Sequence, residues 1–127
     1  MTQVFDASAV LAAIFEEPGA DRVVELWTEG ENLLSAVNYA EVVSKLAERG
    51  MSTAEITVVL EGVPLVVTTF DRRAAYQSGL LRTATKPLGL SLGDRACLAL
   101  GMMREARVVT ADRSWKKVKG ADVDVIR

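Results

Sequence analysis

Short apolar runs alternate with longer amphipathic stretches along the whole chain. Runs rich in Val, Leu and Phe, with a period or length typical of buried strands, predict five strands at 3–5, 32–36, 64–69, 107–110 and 123–126. Apolar residues at helical spacing predict helices at 8–15, 20–29, 37–49, 52–62, 71–83, 91–104 and, briefly, 112–118. Because strands and helices alternate, we predict one α/β domain over residues 1–127, a parallel sheet with helices on both faces.

Helix boundaries are marked by residues that favour caps and turns. Pro18-Gly19 ends the first helix, and Gly50 ends the helix at 37–49. Ser52 with Glu55 three residues later has the spacing of a capping box, so it predicts the start of the next helix. The chain contains no internal repeat and no low-complexity linker that would divide it.

Composition narrows the class of protein. Half of the 127 residues are apolar and a quarter are charged, which is typical of a folded domain. Apolar runs are too short to span a bilayer, and the N-terminal residues do not resemble a secretion signal, so we expect no membrane partner. With Cys97 as the single cysteine, no internal disulfide forms, and we expect a cytoplasmic protein.

The absence of histidine excludes most common catalytic sites. Without it there is no Ser-His triad, no Cys-His dyad and no histidine-ligated zinc, and one cysteine is too few for a thiolate metal site. Carboxylates remain, and they suit hard cations such as Mg²⁺ or Mn²⁺. The net charge is −2, so binding of nucleic acid would depend on a local basic patch.

Four acidic residues stand at junctions between predicted strands and helices: Asp6, Glu41, Asp94 and Asp112. In open α/β sheets the ligand crevice lies beyond the carboxyl ends of the strands, where all four are expected. Carboxylates this close repel one another and stay ionised together only when a cation shares the site. The pattern therefore predicts a divalent metal site.

Each acid taken singly also has an ordinary structural interpretation. Asp6 and Asp112 are placed to cap helices, and Asp94 stands three residues after Ser91, the spacing of a capping box. Glu41 precedes Lys45 by four residues and is placed to pair with it across one helical turn. The metal site is therefore predicted by the joint pattern of the four residues.

The residues around these acids resemble the four signature blocks of PIN-domain ribonucleases, and more narrowly of the VapC toxins of bacterial toxin–antitoxin pairs. The resemblance covers the whole chain in order and is most specific around Asp94. The blocks are Val4-Phe5-Asp6-Ala7-Ser8-Ala9, Ser35-Ala36-Val37-Asn38-Tyr39-Ala40-Glu41-Val42, Gly89-Leu90-Ser91-Leu92-Gly93-Asp94-Arg95-Ala96-Cys97-Leu98-Ala99-Leu100 and Val109-Thr110-Ala111-Asp112-Arg113-Ser114-Trp115.

This resemblance implies a sheet in the order 3-2-1-4-5 and a Mg²⁺- or Mn²⁺-dependent endoribonuclease. It also implies a homodimer and inhibition by a cognate antitoxin, with no direct DNA binding by this chain without the antitoxin. Residue by residue, it implies a catalytic metal site at Asp6, Glu41, Asp94 and Asp112, with supporting hydroxyls at Ser8 and Thr110.

The mechanism we expect is metal-assisted hydrolysis of an RNA phosphodiester. Asp6, Asp94 and Asp112 would bind the ion, which activates a water molecule, and Glu41 would complete the site directly or through water. Five basic residues near the acids are candidates to contact the RNA backbone, although short charge runs are as often plain solvated surface: Arg95, Arg113, Lys116, Lys117 and Lys119. Trp115 fits core packing better than base stacking.

Two other interpretations remain open at the level of sequence. A receiver-type phosphoacceptor domain is also a small α/β protein with an acidic Mg²⁺ pocket. It would need paired acids after the first strand, where Asp6 is single, and an Asp after the third, where Thr68-Thr69 stands. The other alternative is a catalytically silent PIN-like module that acts by protein interaction, although all four acids are intact.

Overall fold

The computed structural model describes residues 1–127. Its strands are β1 (Thr2–Phe5), β2 (Glu31–Ser35), β3 (Val66–Thr68), β4 (Arg107–Thr110) and β5 (Val123–Val125). Its helices are α1 (Ala7–Ile14), α2 (Ala20–Trp27), α3 (Ala36–Glu48), α4 (Thr53–Glu61), α5 (Arg72–Thr85) and α6 (Leu92–Met103). Two short 3-10 helices complete the chain, at Lys86–Leu88 and Arg113–Lys117.

The five strands form one parallel sheet in the order β3-β2-β1-β4-β5. The central strand β1 pairs with β2 and β4, so that Phe5 lies beside Leu34 and Val109. Both the α/β class and the 3-2-1-4-5 order are confirmed. Because parallel strands end at one edge, the residues that follow β1, β2 and β4 are brought together there.

The core has two parts, one on each face of the sheet. Successive residues of a strand point to opposite faces, so Phe5 enters one cluster and Val4 the other. The cluster around Phe5 packs the sheet against α1, α2 and α3, while the cluster around Val4 contains Leu98 of α6 and Trp115. Trp115 is completely buried, as its core interpretation predicts. No helix is long and apolar enough to cross a membrane.

The structure corrects the predicted bounds at the sheet edge and in two turns. Strand β3 is limited to Val66–Thr68, since its only partner β2 pairs with it over Leu33–Ser35 and ends there. The stretch predicted as a loop before α6 contains the 3-10 turn Lys86–Leu88. The predicted short helix after β4 is the 3-10 helix Arg113–Lys117, which is common for so short a connection.

Candidate metal centre

Asp6 is the most buried of the four predicted acids, with 4% of its surface exposed. It follows β1 directly and caps α1, because its Oδ1 accepts a hydrogen bond of 2.8 Å from the Ala9 amide. Burial raises the pKa of Asp6 to about 6, despite hydrogen bonds from Thr110, Ala9 and Ser8 that lower it, and the charge of Asp94 raises it slightly further. No Lys or Arg forms an ion pair with Asp6, so hydrogen bonds and the N-terminus of α1 stabilise its charge without a paired cation.

Two hydroxyl groups attach Asp6 to the end of β4. Thr110 Oγ1 donates to Asp6 Oδ2 over 2.6 Å, and Ser8 Oγ donates to Asp6 Oδ1 over 2.7 Å. Both hydroxyl oxygens also accept a hydrogen bond from a backbone amide. The Asp112 amide donates to Thr110 Oγ1 at 3.1 Å, and the Ala111 amide donates to Ser8 Oγ at 3.0 Å. The hydroxyls predicted near the site therefore lie on the Asp6 carboxylate and fix its orientation.

Glu41 is positioned by a residue that the sequence interpretation missed. Asn38 lies one helical turn earlier in α3 and is buried, and its Nδ2 donates to Glu41 Oε1 at 2.7 Å and to the Gly93 carbonyl oxygen at 3.0 Å. This amide thus connects α3 to the start of α6. The sequence signal for this role is that Asn38 lies three residues before Glu41, on the same helical face and inside the same signature block, 35–42. Lys45 pairs with Glu48 at 3.3 Å, so the predicted pair with Glu41 does not form.

Gly93 is the second residue that was missed. A Cβ atom at this position would lie 2.5 Å from Glu41 Oε1 and 2.6 Å from Oε2, well inside van der Waals contact. Because Gly93 has no side chain, the Glu41 carboxylate can approach the first turn of α6 this closely. Glycine in a helix usually costs stability, and here the close approach explains its presence.

Asp94 lies in the first turn of α6 and is half-buried. It forms a capping box with Ser91, in which Asp94 Oδ2 accepts the Ser91 amide at 2.9 Å and the Asp94 amide donates to Ser91 Oγ at 3.2 Å. The box leaves Oδ1 without a hydrogen bond in the structure. Asp94 therefore performs its expected structural role and keeps one carboxylate oxygen available.

Three of the four acids line one cavity of about 220 Å³ at the carboxyl edge of the sheet: Asp6, Glu41 and Asp94, together with Asn38 and Ser8. Asp112 is not in this lining. It is exposed and caps the 3-10 helix Arg113–Lys117 by accepting the Ser114 amide at 2.9 Å, while its own amide connects it to Thr110. In this arrangement no three acidic side chains are close enough to form a ready set of metal ligands.

The donor atoms of the cavity suit a hard divalent cation. Apart from Lys45, the charged and amide groups in its lining are three carboxylates and Asn38, which offer oxygen ligands of the kind that Mg²⁺ and Mn²⁺ prefer. Asn38 Oδ1 is buried and has no hydrogen-bond partner, an uncommon state for a buried amide oxygen. A cation would compensate both this oxygen and the ionised Asp6.

The predicted basic residues do not converge on the cavity. Arg95 is half-buried against α5, where its Nη1 donates to the Ser78 carbonyl oxygen at 3.0 Å. Arg113 is exposed, and its Nε donates to the Arg127 carbonyl oxygen at 3.0 Å. Lys116 is exposed on the 3-10 helix. Cys97 is buried, and burial raises the pKa of its thiol well above the usual value, which disfavours reactivity.

Comparison with known proteins agrees with this fold. Over nearly its full length the chain resembles VapBC2 from Rickettsia felis bound to a promoter DNA fragment (TM-score 0.79, 16% identity, 100% of both chains). It also resembles DNA-bound VapBC from Salmonella typhimurium (0.76, 19%, 100% of this chain and 99% of that chain). A third is VapC20 from Mycobacterium tuberculosis, a sarcin-ricin loop cleaving toxin (0.69, 13%, 90% and 92%).

Because these sequence identities are low, the structural similarities show a shared fold alone. A search of curated proteins found no match. The model of the PIN domain family, however, matches residues 4–121 and so includes all four acids and both hydroxyls. The resemblance noted in the sequence is thereby confirmed, and the chain belongs to the PIN domain family.

Proposed function

We propose that this chain is a divalent-metal-dependent endoribonuclease that hydrolyses RNA phosphodiester bonds and acts as the toxin of a toxin–antitoxin pair. The observation that carries the proposal is the buried Asp6 carboxylate, which shares a cavity with Glu41 and Asp94 and forms no ion pair, although Lys45 also lines that cavity. Membership of the PIN domain family and the VapC-like fold support a nuclease.

The proposed ligands are Asp6 and Asp94 in the cavity and Asp112 outside it, with Glu41 binding directly or through water, and the ion is Mg²⁺ or Mn²⁺. To bind the ion, the exposed Asp112 side chain would have to turn toward the cavity. When bound, such an ion lowers the pKa of a water molecule and neutralises charge that develops on the phosphate. Ser8 and Thr110 orient Asp6, while Asn38 orients Glu41. Because the chain has no histidine, its residues around the cavity offer only carboxylates to accept a proton.

The strand order argues against the receiver-type alternative. Receiver domains have the flavodoxin-like order 2-1-3-4-5, in which the third strand is central. Here β3 is an edge strand that pairs only with β2. No observation favours a phosphoacceptor function, and none favours a silent interaction module over a nuclease.

We also propose a cognate antitoxin and a homodimer as partners. Structural neighbours of this chain come from toxin–antitoxin complexes, which supports an antitoxin. An apolar groove of about 380 Å³ between α1, α2 and α4 offers a surface for a partner helix. Its lining is mostly apolar: Ala13, Ile14, Phe15, Trp27, Met51, Val58, Val59, Gly62 and Val63.

The test compares Asp94→Asn with a matched control in another capping box. Glu55 of α4 makes the same reciprocal contacts with Ser52 that Asp94 makes with Ser91, but far from the cavity lining. Asparagine and glutamine retain a capping oxygen, so both variants should fold. Removal of groups that only support a metal ligand costs about 10- to 100-fold, so we expect Asp94→Asn to lose at least about 100-fold of Mg²⁺- or Mn²⁺-dependent RNA cleavage.

Glu55→Gln should cleave like the unmodified protein. Full cleavage by a folded Asp94→Asn protein would overturn the proposed site. If the unmodified chain binds Mn²⁺ in a titration but cleaves no RNA, the silent interaction module is the better account.

A further inference from the structure

A second cavity, of about 370 Å³, adjoins the acidic cavity and shares its wall. Ser8, Leu11 and Lys45 line both cavities, so the two lie side by side and are treated together as one depression. Helix α1 forms one side, with Ser8, Leu11 and Phe15 on a single face, and α3 forms the other. We call this depression the α1–α3 trough; it begins at Asp6 and Glu41 and ends at Phe15 and Arg49.

The sign of the charge changes along the α1–α3 trough. The first part contains the three carboxylates already described and one cation, Lys45, which lines both parts. The second part has more cations than carboxylates, with Lys45, Arg49 and Arg127 against Glu17 and Glu48. A groove that is acidic at one end and basic at the other fits a ligand with a metal-bound anion and further anions beside it.

Arg49 is the cation of the trough with no carboxylate partner. Its guanidinium carbon lies 4.1 Å from the centre of the Phe15 ring, an arrangement that fixes the group while leaving its N–H donors free for a ligand. Lys45 pairs with Glu48, but both side chains are at least 60% exposed, and such pairs are weak. Arg127 is engaged with the Pro18 carbonyl oxygen and Glu17.

The spacing along α3 fits a chain of phosphates. Glu41, Lys45 and Arg49 are separated by four residues each, so they lie on one face of α3 at steps of about 6 Å along its axis. Adjacent phosphates of an extended RNA strand are separated by a comparable distance. If one phosphate lies at the acidic cavity, the next along the trough meet Lys45 and then Arg49.

We propose that Arg49 and Lys45 form a phosphate-binding subsite that positions the RNA strand beside the bond to be cleaved. This inference rests on the proposed nuclease function. An acidic peptide would also meet these cations, but it gives no reason for the continuity between the basic part and the metal-type cavity. The two residues act by positioning the substrate and not by contact with the reacting atoms.

The experiment measures binding and cleavage of a single-stranded RNA of about a dozen nucleotides, a length that fits the usual size of such sites. Binding is followed by fluorescence anisotropy in EDTA between about 50 and about 200 mM KCl. The variants are Arg49→Gln, Arg49→Lys and Lys45→Gln. The matched control is Arg104→Gln, because Arg104 is exposed and ends α6 as Arg49 ends α3, but it is outside the trough.

Each phosphate contact on a single strand contributes about 0.7 to the slope of log affinity against log salt. We expect Arg49→Gln and Lys45→Gln each to reduce the slope by about 0.7 and to raise KM roughly fivefold. Arg49 lies outside the acidic cavity, so Arg49→Gln should leave kcat unchanged. Arg49→Lys retains the charge and should retain the slope, and Arg104→Gln should match the unmodified protein.

An unchanged slope and KM in a folded Arg49→Gln protein would overturn the subsite while RNA cleavage, and with it the proposed function, stands. Loss of slope in Arg49→Lys equal to that in Arg49→Gln would also overturn it, since charge would not be the cause. An acidic peptide can also be added to the cleavage assay as an inhibitor. A variant that binds and cleaves RNA normally but is inhibited less by this peptide would identify the peptide, and not RNA, as the ligand of the trough. If the unmodified chain cleaves no RNA but the slopes change as expected, the nuclease proposal fails and the position beside a cleaved bond fails with it, while phosphate binding by Arg49 and Lys45 stands.

Discussion

The Gly93→Ala substitution tests whether the position of the Glu41 carboxylate matters for function. The added Cβ would lie 2.5 Å from Glu41 Oε1, whereas ordinary van der Waals contact begins at 3.4 Å, so the carboxylate must withdraw by about 0.9 Å. The atoms that the new Cβ would meet belong to the end of the flexible, exposed Glu41 side chain. The helix therefore need not move, and the strain is relieved by displacing Glu41.

The expected effects on activity and stability have opposite signs. A misplacement of about 1 Å in an active site can cost about 100-fold in rate, so we expect Gly93→Ala to lose about 10- to 100-fold of cleavage. Alanine is favoured over glycine in a helix by roughly 0.5–1 kcal/mol, so the free energy of unfolding should stay equal or rise slightly. Displacement of the carboxylate also breaks its 2.7 Å hydrogen bond with Asn38, and this loss offsets part of the gain in the free energy of unfolding.

Metal-dependent RNA cleavage and urea unfolding would be measured on the same preparations. Gly79→Ala is the matched control, since Gly79 lies inside α5 and a Cβ there meets nothing within 4 Å. It should gain stability and keep full activity. In a Glu41→Ala background, Gly93→Ala should have no further effect on cleavage. Full activity in a folded Gly93→Ala protein would refute the argument that Gly93 exists to admit Glu41.

The remaining predictions concern the Asp6 carboxyl group and its neighbours. In metal-free protein the pKa of Asp6 rises from 3.8 to about 6 on folding, so the folded state holds the proton more tightly. Its contribution to stability is therefore complete below pH ~4 and declines as pH rises to about 6, by about 3 kcal/mol in all. Urea unfolding in EDTA should show this decline in the unmodified protein and not in Asp6→Asn; a parallel pH dependence in both would contradict it. Near pH 7, Mg²⁺ should raise the Tm of the unmodified protein and leave Asp6→Asn unchanged, and an equal rise in both would place the ion elsewhere. Thr110→Val removes a 2.6 Å hydrogen bond that lowers this pKa, so the decline should extend to higher pH, with a loss of roughly 1–3 kcal/mol. An unchanged pH midpoint in Thr110→Val would contradict that role.

The parts of the fold that follow from local patterns could be predicted from the sequence. Alternating strand and helix signals gave the parallel sheet, because such a chain must cross over between strands. The capping boxes at Ser52–Glu55 and Ser91–Asp94 are present as their spacing predicted. The ends of β3 were less predictable, because its only partner, β2, ends at Ser35, which pairs with Thr68 and leaves Thr69 without a partner.

The missing parts of the site depend on contacts between distant residues. Asn38 is 55 residues from the Gly93 carbonyl oxygen that it binds, and no local pattern reports that contact. The same packing of α6 against α3 makes Gly93 necessary. The exposure of Asp112 follows from the tight 3-10 turn that it caps, whereas the sequence showed only its place after a strand.

The structural and functional interpretations of the acids are compatible because capping uses only part of a carboxylate. An ionised carboxylate has about four lone-pair positions, and the cap at Asp94 uses one oxygen and leaves the other without a hydrogen bond. A helix N-terminus also stabilises the negative charge that a metal site needs. Asp6 caps α1 and Asp94 completes the capping box of α6, and both helices begin at the carboxyl edge of the sheet. Capping therefore orients these two carboxylates toward one cavity, so that their structural role is what assembles the candidate site.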